Sequence, residues 1–167
     1  KYFKLISQGA VFIHPTDTIY GIGCDATNEK AAQWVREIKR RTSLPFSVIV
    51  PSKRWIFDNC EVSLDGEKWI DRLPGPYTLI FRLKASSAVA AAVNLSSGTL
   101  GIRIPRHWIS ELVSELGIPI VSTSANITGE PYMTSIDDLE VNIRQNVDFI
   151  IYEGEKRGKP STIVKLF

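Results

Sequence analysis

The sequence predicts an α/β chain of α+β character: a mixed β-sheet flanked by helices, in a single domain spanning residues 1–167. Three observations predict it. Short apolar runs at residues 46–50 and 100–104 are each closed by a proline, as buried strands often are. Apolar residues recur at helical spacing in residues 31–38 and 108–116. Strands and helices alternate only loosely, which fits a mixed sheet better than a regular doubly wound one. At 167 residues, one domain is the natural size, and such a chain buries roughly two thirds of its unfolded surface.

Taken in order, residues 2–8 form a short helix that Gly9 is placed to stop. Residues 10–14 form a strand broken by Pro15. Thr16-Asp17-Thr18-Ile19-Tyr20-Gly21 is a polar loop leading to Gly23. Asn28 or Thr27 caps a helix running to about Arg40, with Ala31, Trp34, Val35 and Ile38 as its apolar stripe. Residues 46–50 are a buried strand. Trp69, Ile70 and Leu73 belong to a helix that ends before Pro74-Gly75-Pro76. Residues 77–83 alternate, with Tyr77, Leu79 and Phe81 on one face and Thr78, Ile80 and Arg82 on the other. Residues 85–93 read as a loop with a helical turn, and 100–104 as a strand. Trp108, Ile109, Leu112, Val113 and Leu116 make a helical stripe ended by Gly117. Residues 118–122 are a buried strand, 135–144 a capped helix, and 147–152 and 162–166 strands. There is no internal repeat and no low-complexity segment.

Composition narrows the function classes. Net charge is only +2, so there is no global pull toward nucleic acid or membrane. Cys24 and Cys60 have neither a disulfide framework nor a zinc spacing, and read as reduced, buried thiols. No apolar run approaches the about 20 residues needed to span a bilayer. No signal peptide is visible, so the expected location is the cytoplasm. The chain opens on Lys1 rather than Met, so its natural start is expected upstream.

The chemistry concentrates in Ser122-Thr123-Ser124-Ala125-Asn126, at the end of an apolar run. Hydroxyls and an amide are poor core residues, because each needs a partner when buried, but they suit a site for a polar, anionic ligand. Lys39 and Arg41 close the first long helix, either as a solvated helix end or as a phosphate clamp. Arg103 lies in the strand Leu100-Gly101-Ile102-Arg103-Ile104, on the side opposite Ile102 and Ile104, where an arginine meets a carboxylate or water. Thr16 and Thr18 follow Pro15 in turn chemistry, and Asp17 could hold a metal-bound water. His14 and His107 show no ligand spacing. There is no Gly-rich phosphate loop and no nucleophile elbow, so any nucleotide binds through scattered side chains and amides.

Six motifs, in this order, carry a resemblance. They are Pro15-Thr16-Asp17-Thr18-Ile19-Tyr20-Gly21-Ile22-Gly23, Lys39-Arg40-Arg41, Pro74-Gly75-Pro76-Tyr77-Thr78, Gly101-Ile102-Arg103-Ile104-Pro105, Ser122 to Asn126, and Pro160-Ser161-Thr162-Ile163-Val164. Together they resemble the YrdC/TsaC family of threonylcarbamoyl-AMP synthases over nearly the whole chain. The resemblance implies a twisted, open, mixed sheet with a concave, basic cavity. It implies a reaction joining L-threonine, bicarbonate and ATP into threonylcarbamoyl-AMP, with Mg2+ accompanying the ATP. The product feeds threonylcarbamoyl-adenosine formation in tRNA through a Kae1/TsaD-type transferase. By similarity, Lys39 and Arg41 hold the ATP phosphates. Ser122, Ser124 and Asn126 line the nucleotide and the carbamate junction, and Ser161 and Thr162 close the cavity near the nucleotide. Thr16, Thr18 and Arg103 hold threonine, with Arg103 on its carboxylate. No catalytic side-chain nucleophile is expected, and the metal ligands stay open.

The family's further Lys after Arg41 is absent; Arg40 or Lys53 would have to substitute. The residue after Val164 is Lys165 where the family has Asp. The short, single-domain form is implied. Two alternatives remain. One is a non-synthase paralogue that binds RNA or nucleotide, with tRNA or double-stranded RNA as the partner and Lys156-Arg157-Gly158-Lys159 adding local charge. The other is a carbamoyl-adenylate domain like those of hydrogenase-maturation proteins, which are fused to acylphosphatase-like and zinc-finger segments that this sequence does not display.

Overall fold

The computed structural model describes residues 1–167. Its nine strands form one mixed sheet: β1 (Phe12–His14), β2 (Gly21–Gly23), β3 (Ser47–Ile49), β4 (Cys60–Glu61), β5 (Tyr77–Leu83), β6 (Thr99–Arg103), β7 (Ile120–Ser124), β8 (Phe149–Ile150) and β9 (Thr162–Lys165). The spatial order is β4-β5-β6-β3-β7-β2-β1-β8, and β9 pairs with β5 in parallel. Parallel and antiparallel neighbours mix, as at β3, which runs parallel to β6 and antiparallel to β7. The helices are α1 (Tyr2–Ser7), α2 (Glu29–Lys39), α3 (Lys53–Asn59), α4 (Leu64–Ile70), α5 (Ala91–Asn94), α6 (Ile109–Leu116) and α7 (Val141–Asn146). None is long and apolar enough to cross a membrane.

Helix α2 starts where the Asn28 side chain accepts the Ala31 amide, which decides between the two expected caps. It stops where Arg40 turns left-handed at φ 53. Ala31, Val35 and Ile38 are buried as expected, but Trp34 is not. Trp34 is 40% exposed and donates its indole N–H to the Asn146 carbonyl, while Ala32 takes the core position. An indole buried at that point would need its own acceptor inside the core.

Side-chain alternation gives the sheet two different faces. One face carries Ile13, Ile22, Val48, Leu79, Phe81, Ile102 and Val121 into the larger core cluster. The other carries Phe12, Ile49 and Ile120 into a smaller cluster under α1 and α6, with Ile6, Ile109 and Val113. Beyond that cluster the same face turns polar.

Several expectations are corrected. Gly21–Gly23 is a central strand rather than loop, paired to β1 and β7 on its two edges. Glycine there makes room for the buried His14 ring: a Cβ on Gly23 would come within 2.8 Å of its Cδ2. Leu73 is buried beyond the end of α4, not inside it. Residues 135–144 split into a 3-10 turn at Ile136–Asp138, capped by Ser135 and Asp138, and then α7. The 147–152 strand shrinks to Phe149–Ile150. Helix α3 and strand β4 have no counterpart in the sequence reading.

Candidate active site

In register across three adjacent strands, Ser47 of β3 lies between Gly101 of β6 and Ser122 of β7. Two residues further along each strand the same face is Ile49, Arg103 and Ile120. Small and hydroxyl residues thus replace isoleucine at one end of the face, and the layer that would be core opens into a cavity of about 200 Å³. Its wall bears hydroxyls from Thr18, Ser47, Thr78, Ser122, Ser124 and Ser161, and two guanidinium groups, Arg41 and Arg103. Gly101 keeps the floor low: a Cβ there would sit 3.0 Å from Thr78 Cγ2 and 3.3 Å from Ser47 Cβ.

Arg103 ends β6 and is 6% exposed. Its Nη2 donates to Asp17 Oδ1 at 2.9 Å and to Thr18 Oγ1 at 3.3 Å, while its buried Nε has no partner. Burial lowers the guanidinium pKa and Asp17 raises it again. Asp17 Oδ2 accepts the Arg106 amide at 2.9 Å. Each of its oxygens thus accepts one hydrogen bond from the Arg103–Arg106 segment. Thr16 does not line the cavity. It braces Thr18 instead, accepting the Thr18 amide at 3.1 Å and donating to the Ile19 carbonyl at 2.7 Å.

Arg41 follows the left-handed Arg40 and lines the opposite part of the wall, beside Pro45. Its Nη2 donates to the Pro45 carbonyl at 2.9 Å and its Nε to the Leu44 carbonyl at 3.2 Å. Burial lowers its pKa. Arg36 stacks 4.2 Å from the Phe46 ring centroid and bonds the carbonyls of Arg41, Leu44, Ala92 and Val93, which holds this loop in shape.

Lys39 corrects the sequence reading. It is fully buried and does not line the cavity. Its ammonium donates to the Ser124 carbonyl and, at 2.9 Å, to both the carbonyl and Oδ1 of Asn126. Ser124 Oγ donates to Asn126 Oδ1 at 2.6 Å. Lys39 and Asn126 thus form a brace behind Ser124, and Arg41 alone presents a side-chain cation at that end. Burial, then Arg41, pushes the Lys39 pKa down to about 7. Ser161 lines the cavity, 2.6 Å from Thr78 Oγ1, whereas Thr162 is exposed and outside it. Arg40 and Lys53 are exposed and outside as well, so neither replaces the absent Lys.

No carboxylate lines the cavity, and no cluster of three or more His, Cys, Asp or Glu is placed to hold a metal. The residues present do not make a site for Mg2+ of their own.

A family model named Sua5/YciO/YrdC, described as telomere recombination, matches residues 4–167. The chain belongs to the Sua5/YciO/YrdC family. A Methanocaldococcus jannaschii relative, assigned provisionally as a threonylcarbamoyl-AMP synthase, is 40% identical over 167 residues, 98% of this chain and 77% of its own. A Vibrio vulnificus threonylcarbamoyl-AMP synthase is 29% identical over 170 residues, 96% of this chain and 89% of its own. Sua5 of P. abyssi, solved with L-threonine, superposes with a TM-score of 0.89 at 30% identity over 99% of this chain. This chain spans about half of that Sua5 chain, 49% of its length.

In this member of the Sua5/YciO/YrdC family, a strap from Glu153 to Pro160 without regular structure leads to the cavity wall, which it joins at Pro160. Tyr20 Oη accepts the Glu153 amide at 3.0 Å and donates to the Gly154 carbonyl at 2.6 Å. Gly158 lies so close to the Thr18 carbonyl that any Cβ would collide with it. Glu153, its pKa pushed down to about 2 despite opposing desolvation, accepts from Lys156, His107 and Trp108. Lys156 pairs with Glu153 and Arg157 with Glu155, so much of the basic run is neutralised. The sequence reading missed Ser47 and this strap, and named Thr78 in a motif without giving it a role. A polar residue inside each apolar run was the available signal, but only strand register aligns those residues.

Proposed function

We propose that this chain is an L-threonylcarbamoyladenylate synthase, a nucleotidyltransferase that makes threonylcarbamoyl-AMP from L-threonine, bicarbonate and ATP. The observation that carries the reading is one polar hollow walled by hydroxyls, with an arginine from β6 and another from the loop after α2. In this reading Arg103 and Thr18 hold the threonine carboxylate, and Arg41 with Ser122, Ser124 and Ser161 holds the phosphates. Lys39 and Asn126 act through Ser124.

A carbamate oxygen attacks the α-phosphorus, the bond to the pyrophosphate oxygen breaks, and pyrophosphate leaves. Negative charge develops on the phosphate oxygens. Fixed guanidinium and hydroxyl donors stabilise it without reorganising, which is the main contribution such a site can make. No side chain needs to be a nucleophile. Bringing two anions together costs repulsion that the two arginines offset. Mg2+ would travel with the ATP, screening its phosphates. The product would pass to a Kae1/TsaD-type transferase for tRNA threonylcarbamoyl-adenosine formation, in the cytoplasm.

The inward turn of Lys39 favours a second reading, a paralogue that binds RNA or nucleotide without forming the adenylate. Pyrophosphate release with ATP, bicarbonate and threonine separates the two. Threonine-dependent release is expected; its absence under saturating substrates selects the second reading.

A further inference from the structure

The two arginines of the cavity differ in their partners. The hydrogen bonds of Arg41 go only to carbonyl oxygens, those of Leu44 and Pro45, and its guanidinium lies 5.4 Å from the Phe46 ring centroid. Arg103 meets a carboxylate, Asp17, at 2.9 Å. Asp17 is outside the cavity lining, and its side chain is 11% exposed. Both its oxygens are used: one faces Arg103 Nη2, and the other faces the Arg106 amide on the chain leaving β6. Since Arg103 Nε has no partner, the Nη2 contacts to Asp17 and Thr18 are what fix the guanidinium against the wall.

We infer that Asp17 is a positioning and selectivity residue: it orients Arg103 and cancels part of its charge, so that end of the cavity takes a single carboxylate and leaves the polyphosphate to Arg41. This rests on the threonine and ATP assignments proposed above. The electrostatic reasoning is short. A cation paired at contact distance with a carboxylate presents a dipole rather than a full charge to more distant groups, so it draws a polyanion much less than an unpaired cation does. Directional N–H donors survive the pairing and still bind a carboxylate. Charge asymmetry along one cavity thereby orders two anionic substrates that either arginine alone would accept.

The test is D17N in the full chain, beside wild type. The amide keeps the shape of the carboxylate but can accept from Arg103 or from the Arg106 amide, not from both. The Michaelis constant for threonine is expected to rise about tenfold, a typical loss for a charge-assisted contact. The pyrophosphate inhibition constant is expected to fall about threefold or more, because Arg103 regains its charge. A loop residue with a merely structural role would weaken threonine and pyrophosphate together or change neither, and either result overturns the inference. D17E retains the charge one methylene further out. It should raise the threonine constant and leave pyrophosphate inhibition at the wild-type value; tighter pyrophosphate inhibition in D17E overturns the charge argument even should D17N not fold. A wild-type chain without threonine-dependent pyrophosphate release would instead sink the proposed function. An active wild type with an unaltered D17N removes only this inference.

Discussion

Two ends of one sheet face are built on the same strands and do opposite things. Under α1 and α6, Ile49 and Ile120 join Phe12 and Ile109 in a dry cluster. Two residues along the same strands, Ser47 and Ser122 line the cavity instead. Backbone pairing and side-chain direction are shared, so residue type alone converts core into site. The apolar end gains by excluding water. The polar end holds buried hydroxyls and guanidinium groups whose partners are supplied partly by each other and, in the proposed reading, partly by substrate.

The largest expected effect is at the dry end. Ile120→Ala removes a side chain that is 2% exposed and should lower folding stability by about 2–5 kcal/mol. Denaturant titration checks this, and the threonine requirement of the folded fraction should stay within about twofold. A large rise in that requirement would mean that the two ends are not separable.

His14 sits at the boundary, packed beside Phe12 with Gly21 and Gly23 against its ring. Burial pushes its pKa from 6.5 down to about 4. The unfolded chain therefore binds the extra proton first, and stability falls as pH drops from 6.5 toward 4, by about 3 kcal/mol in full. Glu153 acts in a lower window, from 4.5 toward 2, where protonation weakens the strap. Chemical denaturation across pH 7 to 4 should show the loss in wild type and little of it in His14→Gln. Identical slopes would place the titrating group elsewhere.

At the polar end, Arg103→Ala should cost about 1.5–3 kcal/mol of threonine binding, read as a rise in the threonine Michaelis constant of roughly ten- to a hundredfold. The ATP constant should change little. Equal weakening of both substrates would show that the arginine shapes the whole cavity rather than one end. Smallest is Ser122→Ala, which removes one wall hydroxyl and leaves the fold intact. About 0.5–1.5 kcal/mol of loss in kcat/KM is expected, and a thermal melt within about 2 °C of wild type checks that only the wall changed.

Much of the apolar architecture is legible in the sequence. The stripe of α6, the alternation of β5 and the proline-closed strands rest on local periodicity, and they reappear with shifts of one or two residues at their ends, except that Trp108 precedes α6 and is exposed, donating to Glu153. The site is legible in part. Arg41, Arg103, Thr18, Ser122, Ser124 and Ser161 line the cavity, and they stand in motifs that the chain displays openly. Ser47 does not stand out, because one serine in an apolar run looks like any other until register sets it beside Gly101. Lys39 misled for the opposite reason. A lysine at a helix end ordinarily reaches solvent, and only the tertiary path of residues 124–126 supplies carbonyls that draw it inward. Local sequence specifies the strand; long-range pairing decides what the strand's polar residues face.

Tyr20 Oη and the Gly154 carbonyl meet across 134 positions of the chain. A contact that distant forms slowly, because a long loop must close before it yields any return. A nascent polypeptide would thus assemble β1, β2, β3, β6 and β7 while the hollow beside Ser122 still lacks its wall residues Pro160 and Ser161. Binding competence would arrive only once residues 153–161 have been made and have docked. Pulse-labelled hydrogen exchange should find the Val121 amide protected before that of Glu153; the reverse order would show that the strap is an early scaffold rather than the finishing piece.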